Sequence, residues 1–373
     1  MKKTLKISAY TLGVIASLVL LFLLGLHIMS PGKIAPLVKE NGSPYINGIA
    51  LIEKRDIGGV EQSLIIRSKN IDKPVLLYVH GGPGSPEYPF IQHFETDLEE
   101  YFTVCYWEQR GAGLSYSKNI PPESMTLEQF VEDAREVTMY LLDKFNKEKV
   151  FIMGHSWGTL LASHTVNRFP ELYHAYFGIG QVGNQLESEK ISYEFAIAEA
   201  KIQRDEKAIK KLSEIGPPPY RGNEEWLEAL MVERKYVGKF GGALRQGNFM
   251  KMAVTATINC REYRLKDKMN YMKANNESLR HLWPTVLEAN LIEDVPSQSI
   301  PVYIFQGRYD FQTSYDVAWR YYEQLEAPIK EFYTFENSAH SPNYEEKERF
   351  EELVGGILRE LEEEHREMTM SGN

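Results

Sequence analysis

Apolar and polar positions follow two rhythms along this chain. Short apolar runs end in glycine-rich turns, and longer segments between them carry apolar residues every three or four positions. Past residue 43, "GIALIEKRDI" and "QSLIIRS" read as strands, and "PVLLYVHGGPG" and "FTVCYWEQRGAGLS" each pass from an apolar strand into a glycine-rich turn. A helix follows, with Leu127, Phe130, Val131, Ala134, Val137, Leu141 and Leu142 on one face, Thr126 as N-cap and Gln129 completing a capping box. Val150 to Met153 predicts a buried strand and Thr159 to Phe169 a helix ended by Pro170, after which "AYFGIGQV" is again a strand. Strands alternating with helices in this way predict an α/β fold with a mostly parallel sheet covered on both faces.

From residue 184 to 299 the rhythm breaks. Charged, helix-favouring segments such as "SEKISYEFAIAEAKIQRDEKAIKKLSEIG" follow one another without a convincing strand, which predicts a helical insertion. The sheet pattern returns in "PVYIFQGRYD", the helix "SYDVAWRYYEQLEA", the strand "IKEFYTFENSAHS" and a closing helix whose many acidic residues form a solvated face. The expected organisation is an apolar N-terminal segment (1–30), a linker (31–43), a first part of the sheet domain (44–183), the insertion (184–299) and a second part (300–373).

The N-terminal segment changes the picture. Lys2, Lys3 and Lys6 precede a stretch from Ser8 to Met29 without Lys, Arg, Asp or Glu, about the length that crosses a bilayer. It is a signal peptide or an anchor. The long apolar region, and "LHIMSPGK" with no evident small-x-small cleavage site, favour an uncleaved transmembrane anchor. The lysines then stay in the cytoplasm, and the rest of a single-pass membrane protein lies on the extracytoplasmic side. A net charge of -10 and a pI near 5.5 argue against nucleic acid or an anionic membrane surface as the main partner, since both demand a basic face. Two distant cysteines, Cys105 and Cys260, offer neither a disulfide framework nor a metal-binding spacing, and both are expected to be free.

Candidate chemistry centres on "GHSWG" (154–158), where a strand turns directly into a helix. Gly154 and Gly158 allow that tight corner to present Ser156 as a nucleophile. A serine hydroxyl needs an imidazole to take its proton and a carboxylate to fix the tautomer of that imidazole. Asp310 and His340 each follow a late strand, at the sheet end where α/β proteins bind ligands. Asp310 is also open to reading as a turn residue capping the next helix, and His340 as a structural histidine. Oxyanion donors would be the backbone N–H of Trp157, which opens a helix, and that of Gly82 in the "HGGPG" turn.

Together "HGGPG" (80–84), "EQRGAGLS" (108–115), "GHSWG", "GRYD" (307–310) and "SAHSP" (338–342) resemble the proline iminopeptidase family of α/β-hydrolases over nearly everything after the apolar segment. The resemblance implies an α/β-hydrolase fold with a helical cap, and a serine aminopeptidase releasing an N-terminal residue, typically proline. It implies Ser156, Asp310 and His340 as catalytic triad and Gly82 and Trp157 as oxyanion hole, with no metal or organic cofactor. The substrate would be a small peptide, or a small ester or amide. Two positions depart from the family: Glu108 replaces an aspartate, and the cap lacks the Trp-Glu pair that helps bind the substrate amine. Glu194, Glu225 and Glu233 are the cap carboxylates available, and Glu233 or Glu225 is expected to face Ser156. A carboxylesterase or lipase-like enzyme on the same scaffold, and a non-catalytic binding protein, are the alternatives.

Overall fold

The structure, a computed structural model, describes residues 2–220 and 225–371. Helix α1 (Lys2–Ile28) projects from the body: none of its most apolar stretch, Thr11–Ile28, is buried, and that stretch is long and apolar enough to cross a membrane. Strands β1 (Ile49–Ile57) and β2 (Val60–Ser68) form an antiparallel hairpin about Gly58 and Gly59, both at positive φ. Then come β3 (Val75–Val79), α2 (Tyr88–Phe94), β4 (Thr103–Glu108), α3 (Leu127–Phe145), β5 (Val150–His155), α4 (Trp157–Arg168) and β6 (Tyr173–Ile179). Helices α5 (Gln185–Ile202), α6 (Glu206–Ile215), α7 (Trp226–Lys239), α8 (Phe249–Asn259), α9 (Leu265–Glu288) and α10 (Leu291–Asp294) follow before the sheet resumes. The chain closes with β7 (Val302–Gly307), α11 (Tyr315–Gln324), β8 (Lys330–Phe335), α12 (Pro342–Glu345) and α13 (Lys347–Ser371).

Among the described residues eight strands form one sheet in the order β1-β2-β4-β3-β5-β6-β7-β8. The β1-β2 and β2-β4 pairs are antiparallel and every other pair is parallel. Alternation along β3 sorts the core: Val75, Leu77 and Val79 face one apolar layer with α3 and α4, whereas Leu76 and Tyr78 face a second with α13. A third cluster, built on Ala196, Ala200, Leu212, Tyr236 and Val237, holds α5, α6 and α7 together. The acidic closing helix buries Phe350, Val354 and Ile357 and leaves most of its carboxylates in solvent. Cys105 and Cys260 are both buried and free.

Two local expectations are corrected. Thr126 does cap α3, its hydroxyl accepting from the Gln129 N–H at 3.2 Å, but the Gln129 side chain turns away from a capping box and donates to Asp133 Oδ1 at 2.8 Å. A buried carboxylate one turn on outcompetes the exposed cap for that amide. The strand expected over "AYFGIGQV" begins two residues earlier, at Tyr173, so His174 lies within β6.

Candidate active site

Parallel pairing brings the C-terminal ends of β3, β5, β6, β7 and β8 to one edge of the sheet, and the loops there build the site. At the end of β5 the chain turns so sharply that Ser156 adopts φ 55 and ψ -121, a conformation that costs a non-glycine residue about 1–3 kcal/mol. Surrounding contacts hold it: the Ser156 N–H donates to Ile179 O at 2.9 Å, and Ser156 O accepts from Thr159 N at 2.8 Å. The flanking glycines are sterically required. A Cβ on Gly154 would lie 2.4 Å from Gly158 O, and one on Gly158 would lie 2.1 Å from Val79 O.

Asp310 leaves β7 with every lone pair engaged. Its Oδ1 accepts from the N–H groups of Gln312 (2.8 Å) and Thr313 (3.0 Å), and Oδ2 from Gln306 Nε2 and the Thr313 hydroxyl, both at 2.8 Å. The same Oδ2 lies 2.9 Å from His340 Nδ1. With Nδ1 bound to that carboxylate, the neutral ring presents its Nε2 lone pair outward, the tautomer a proton acceptor needs. Gly307 lets the histidine loop pass, since a Cβ there would lie 1.9 Å from Ala339 O. Ser156, His340, Gly82 and Trp157 line one cavity of about 880 Å³, within the size range of small-molecule sites. Gly82, at φ 115, belongs to the turn above Ser156: a Cβ on its neighbour Gly81 would lie 3.2 Å from Ser156 Cβ. Among the described residues neither the Gly82 N–H nor the Trp157 N–H donates to protein.

The sequence reading missed Glu87. Its buried carboxylate accepts from His155 Nδ1 at 2.9 Å and from the Tyr344 hydroxyl, and it also lines the cavity. The other nitrogen of His155 donates to the backbone carbonyl of His340 at 3.0 Å, and the two imidazole rings are 5.2 Å apart. Burial favours a neutral His155, but the Glu87 carboxylate outweighs it and raises His155 above its ordinary value. Burial likewise opposes ionisation of Glu87, and His155 with Tyr344 overcomes this and lowers it. His80, in contrast, is pushed down to about 4 by burial; its Nδ1 donates to Gly81 O and its Nε2 accepts from Gln109 N. An acidic residue within the apolar turn "SPEYPF" was the available signal for Glu87.

The cap carboxylates lie elsewhere than expected. Glu233 is fully buried and absent from the cavity wall, its carboxylate accepting from the Tyr220 hydroxyl (2.6 Å) and from Arg234 Nη1 (3.1 Å). Arg234 also bonds Glu189 on α5, and of these three residues Arg234 alone lines the cavity. Burial and the neighbouring Glu189 push Glu233 up to about 7 against the pull of Arg234. Glu194 and Glu225 are exposed and do not line the cavity. Glu108, in place of an aspartate, accepts from the Leu114 N–H and from the Tyr263 hydroxyl at 2.7 Å, a reach across to the helical segment. Burial pushes its carboxyl up to about 8.

Comparison with known proteins fits this geometry. Residues 74–207 match the family model described as alpha/beta hydrolase fold. The chain is 35% identical over 309 residues to a protein named probable aminopeptidase YbaC from Bacillus subtilis (strain 168), covering 82% of this chain and 96% of the relative. It is 26% identical over 294 residues to a proline iminopeptidase from Heyndrickxia coagulans, covering 77% and 91% respectively. The crystal structure of the proline iminopeptidase of Mycobacterium smegmatis superimposes with a TM-score of 0.60 at 17% identity, over 83% of this chain and 98% of that one.

Proposed function

Since this chain belongs to the proline iminopeptidase-like family of α/β-hydrolases, we propose that it is a serine aminopeptidase which removes N-terminal residues from peptides through an acyl-enzyme. One observation carries the reading: a strained Ser156 on the same cavity wall as a histidine whose Nδ1 is fixed by a fully hydrogen-bonded aspartate. His340 Nε2 takes the Ser156 proton as Oγ attacks the scissile carbonyl, and returns it to the leaving amine. Asp310 stabilises the imidazolium formed in between. The N–H groups of Gly82 and Trp157 receive the oxyanion. Water then attacks the acyl-enzyme with His340 again as base, freeing the N-terminal residue and Ser156.

The helices from 184 to 299 act as a cap that selects the acyl group. Within it two buried carboxylates, Glu189 and Glu233, share the guanidinium of Arg234, and of the three only Arg234 lines the cavity, so this cluster presents no carboxylate to a substrate amine. Gln185, which also lines the wall, donates to Glu189 at 2.6 Å and so ties α5 to the cluster. Helix α1 anchors the chain in the membrane, with Lys2, Lys3 and Lys6 in the cytoplasm and the catalytic body outside.

A second reading, an ester hydrolase, is favoured by the apolar wall of Leu230, Leu279, Trp283 and Val286, and by the commitment of Glu87 to His155 and Tyr344. Aminoacyl amides beginning with proline, their N-acetylated analogues and short-chain esters separate the two. Preference for free-amino amides supports the aminopeptidase, while indifference to acetylation supports the esterase. A fluorophosphonate probe should label the wild type and not Ser156→Ala, and labelling that persists in the variant would move the nucleophile elsewhere.

A further inference from the structure

The body presents one face that is both apolar and basic, and part of it lines the cavity. On α8, Met250 and Val254 stand one turn apart and are 48% and 44% exposed. On α9, Met269 and Met272 are 71% and 39% exposed. Met250, Val254 and Met272 also line the cavity, so these methionines and the valine form its rim. Between residues 249 and 277 the chain carries six basic side chains, Lys251, Arg261, Arg264, Lys266, Lys268 and Lys273, against Glu262, Asp267 and Glu277, the last of which pairs with Lys273 at 3.6 Å, although the whole chain has a net charge of -10.

The chain leaving α1 is fastened to this same corner. The Gly32 N–H donates to Arg261 O at 3.1 Å, and a Cβ on Gly32 would lie 2.5 Å from the Arg264 side chain. Lys268 Nζ bridges the two segments, donating to Ser30 Oγ at 2.8 Å and to Ile258 O at 2.6 Å. Val254 is one turn of α8, about 6 Å, from Ile258. Met269 adjoins Lys268 in sequence. The end of the apolar helix and the cavity rim therefore share the α8-α9 corner.

We propose that this face rests on an anionic bilayer, and that the cavity opens at the membrane surface to take amphiphilic substrates whose apolar part lies in the lipid. The inference rests on the anchor reading of α1. Basic side chains beside a membrane span are attracted to anionic headgroups, while exposed methionine and valine enter the boundary below them. Apolar groups at a cavity rim, costly to leave in water, then become the path by which an apolar chain moves from lipid to Ser156.

The test uses the full chain reconstituted in vesicles of phosphatidylethanolamine and phosphatidylglycerol. A polarity-sensitive fluorophore is placed by Val254→Cys, by Met269→Cys, or by Ile202→Cys as a control that is 73% exposed on α5; the native cysteines are buried. Brominated lipid should quench the label at 254 and 269 and spare it at 202. Absent or uniform quenching in a chain that resists alkaline extraction overturns the inference and leaves the anchor standing. Release of the chain by alkaline extraction removes the anchor and the inference with it. Turnover gives a second readout: Lys266→Glu and Met269→Glu, outside the cavity wall, should cut hydrolysis of a bilayer-borne aminoacyl alkylamide at least about fivefold, the attraction one surface cation supplies, and leave a soluble aminoacyl amide unchanged. Equal losses on both substrates, or wild-type turnover of the soluble amide alone, would overturn it.

Discussion

His155 is held at both ring nitrogens, and its partners belong to different loops: Glu87 after the "HGGPG" turn and the His340 carbonyl after β8. The residue before Ser156 thereby joins the turn that holds Gly81 and Gly82 to the loop that carries His340. Its charge state follows from its surroundings, in which Glu87 and, farther off, Asp310 favour the imidazolium and burial opposes it. Around Glu87 stand the Tyr344 hydroxyl, His80, and the buried Tyr78 and Tyr271. The sign of the linkage is fixed for each partner. A raised His155 stabilises the fold below its ordinary 6.5, and that contribution is lost as pH rises through the raised value. A lowered Glu87 stabilises it above the ordinary 4.5, and that contribution is lost as pH falls through the lowered value. Glu87→Gln should therefore lower the melting temperature most between pH 4.5 and 6.5, with the gap from wild type narrowing on either side. Thermal melts over a buffer series check this, and a gap constant with pH would show that the pair does not exchange charge on folding.

Elements are tied by buried polar groups as much as by apolar packing. Arg110, which follows β4, makes a bidentate pair with Asp133 of α3, Nε to Oδ2 and Nη2 to Oδ1 both at 2.9 Å, and donates to Gly58 O in the β1-β2 turn at 2.9 Å. The "EQRGAGLS" motif is thus structural at its arginine. Removing one partner of a buried pair strands the other charge, so Asp133→Ala should cost about 3–5 kcal/mol in denaturant melts. Fluorophosphonate labelling of the fraction still folded should persist, because neither residue lines the cavity. Strand ends and glycine turns were legible in the sequence because a turn is a local event, and for that reason Ser156, Asp310 and His340 could be picked out from their positions after β5, β7 and β8. The partners of those residues were not legible. The pairing of Val79 with Gly154 sets Glu87 beside His155, and this depends on which strands become neighbours. Helical periodicity likewise left open which face of α7 turns inward; Glu233 packs toward Glu189 of α5 through Arg234 instead of facing Ser156. Glu108 departs from the family pattern in a way its contact with Tyr263 explains, since that contact lies 155 residues away in sequence.

Over the described residues, an eight-stranded sheet carries the site at one edge, side chains of helices 185–294 line its cavity, and an apolar helix projects from the α8-α9 corner. Only residues 29–32 separate that helix from its attachment at Arg261, a stretch reaching about 14 Å when fully extended. If α1 is the anchor proposed above, so short a tether would keep one pole of the body against the lipid and prevent it from searching the surrounding volume. Encounter with a molecule dissolved in the same leaflet would then be two-dimensional, and its frequency would follow the mole fraction of that molecule among the lipids. Adding inert lipid at constant total substrate should slow turnover of a bilayer-borne substrate in proportion to the surface dilution and leave a soluble amide unaffected; rates that ignore the added lipid would place the encounter in bulk water.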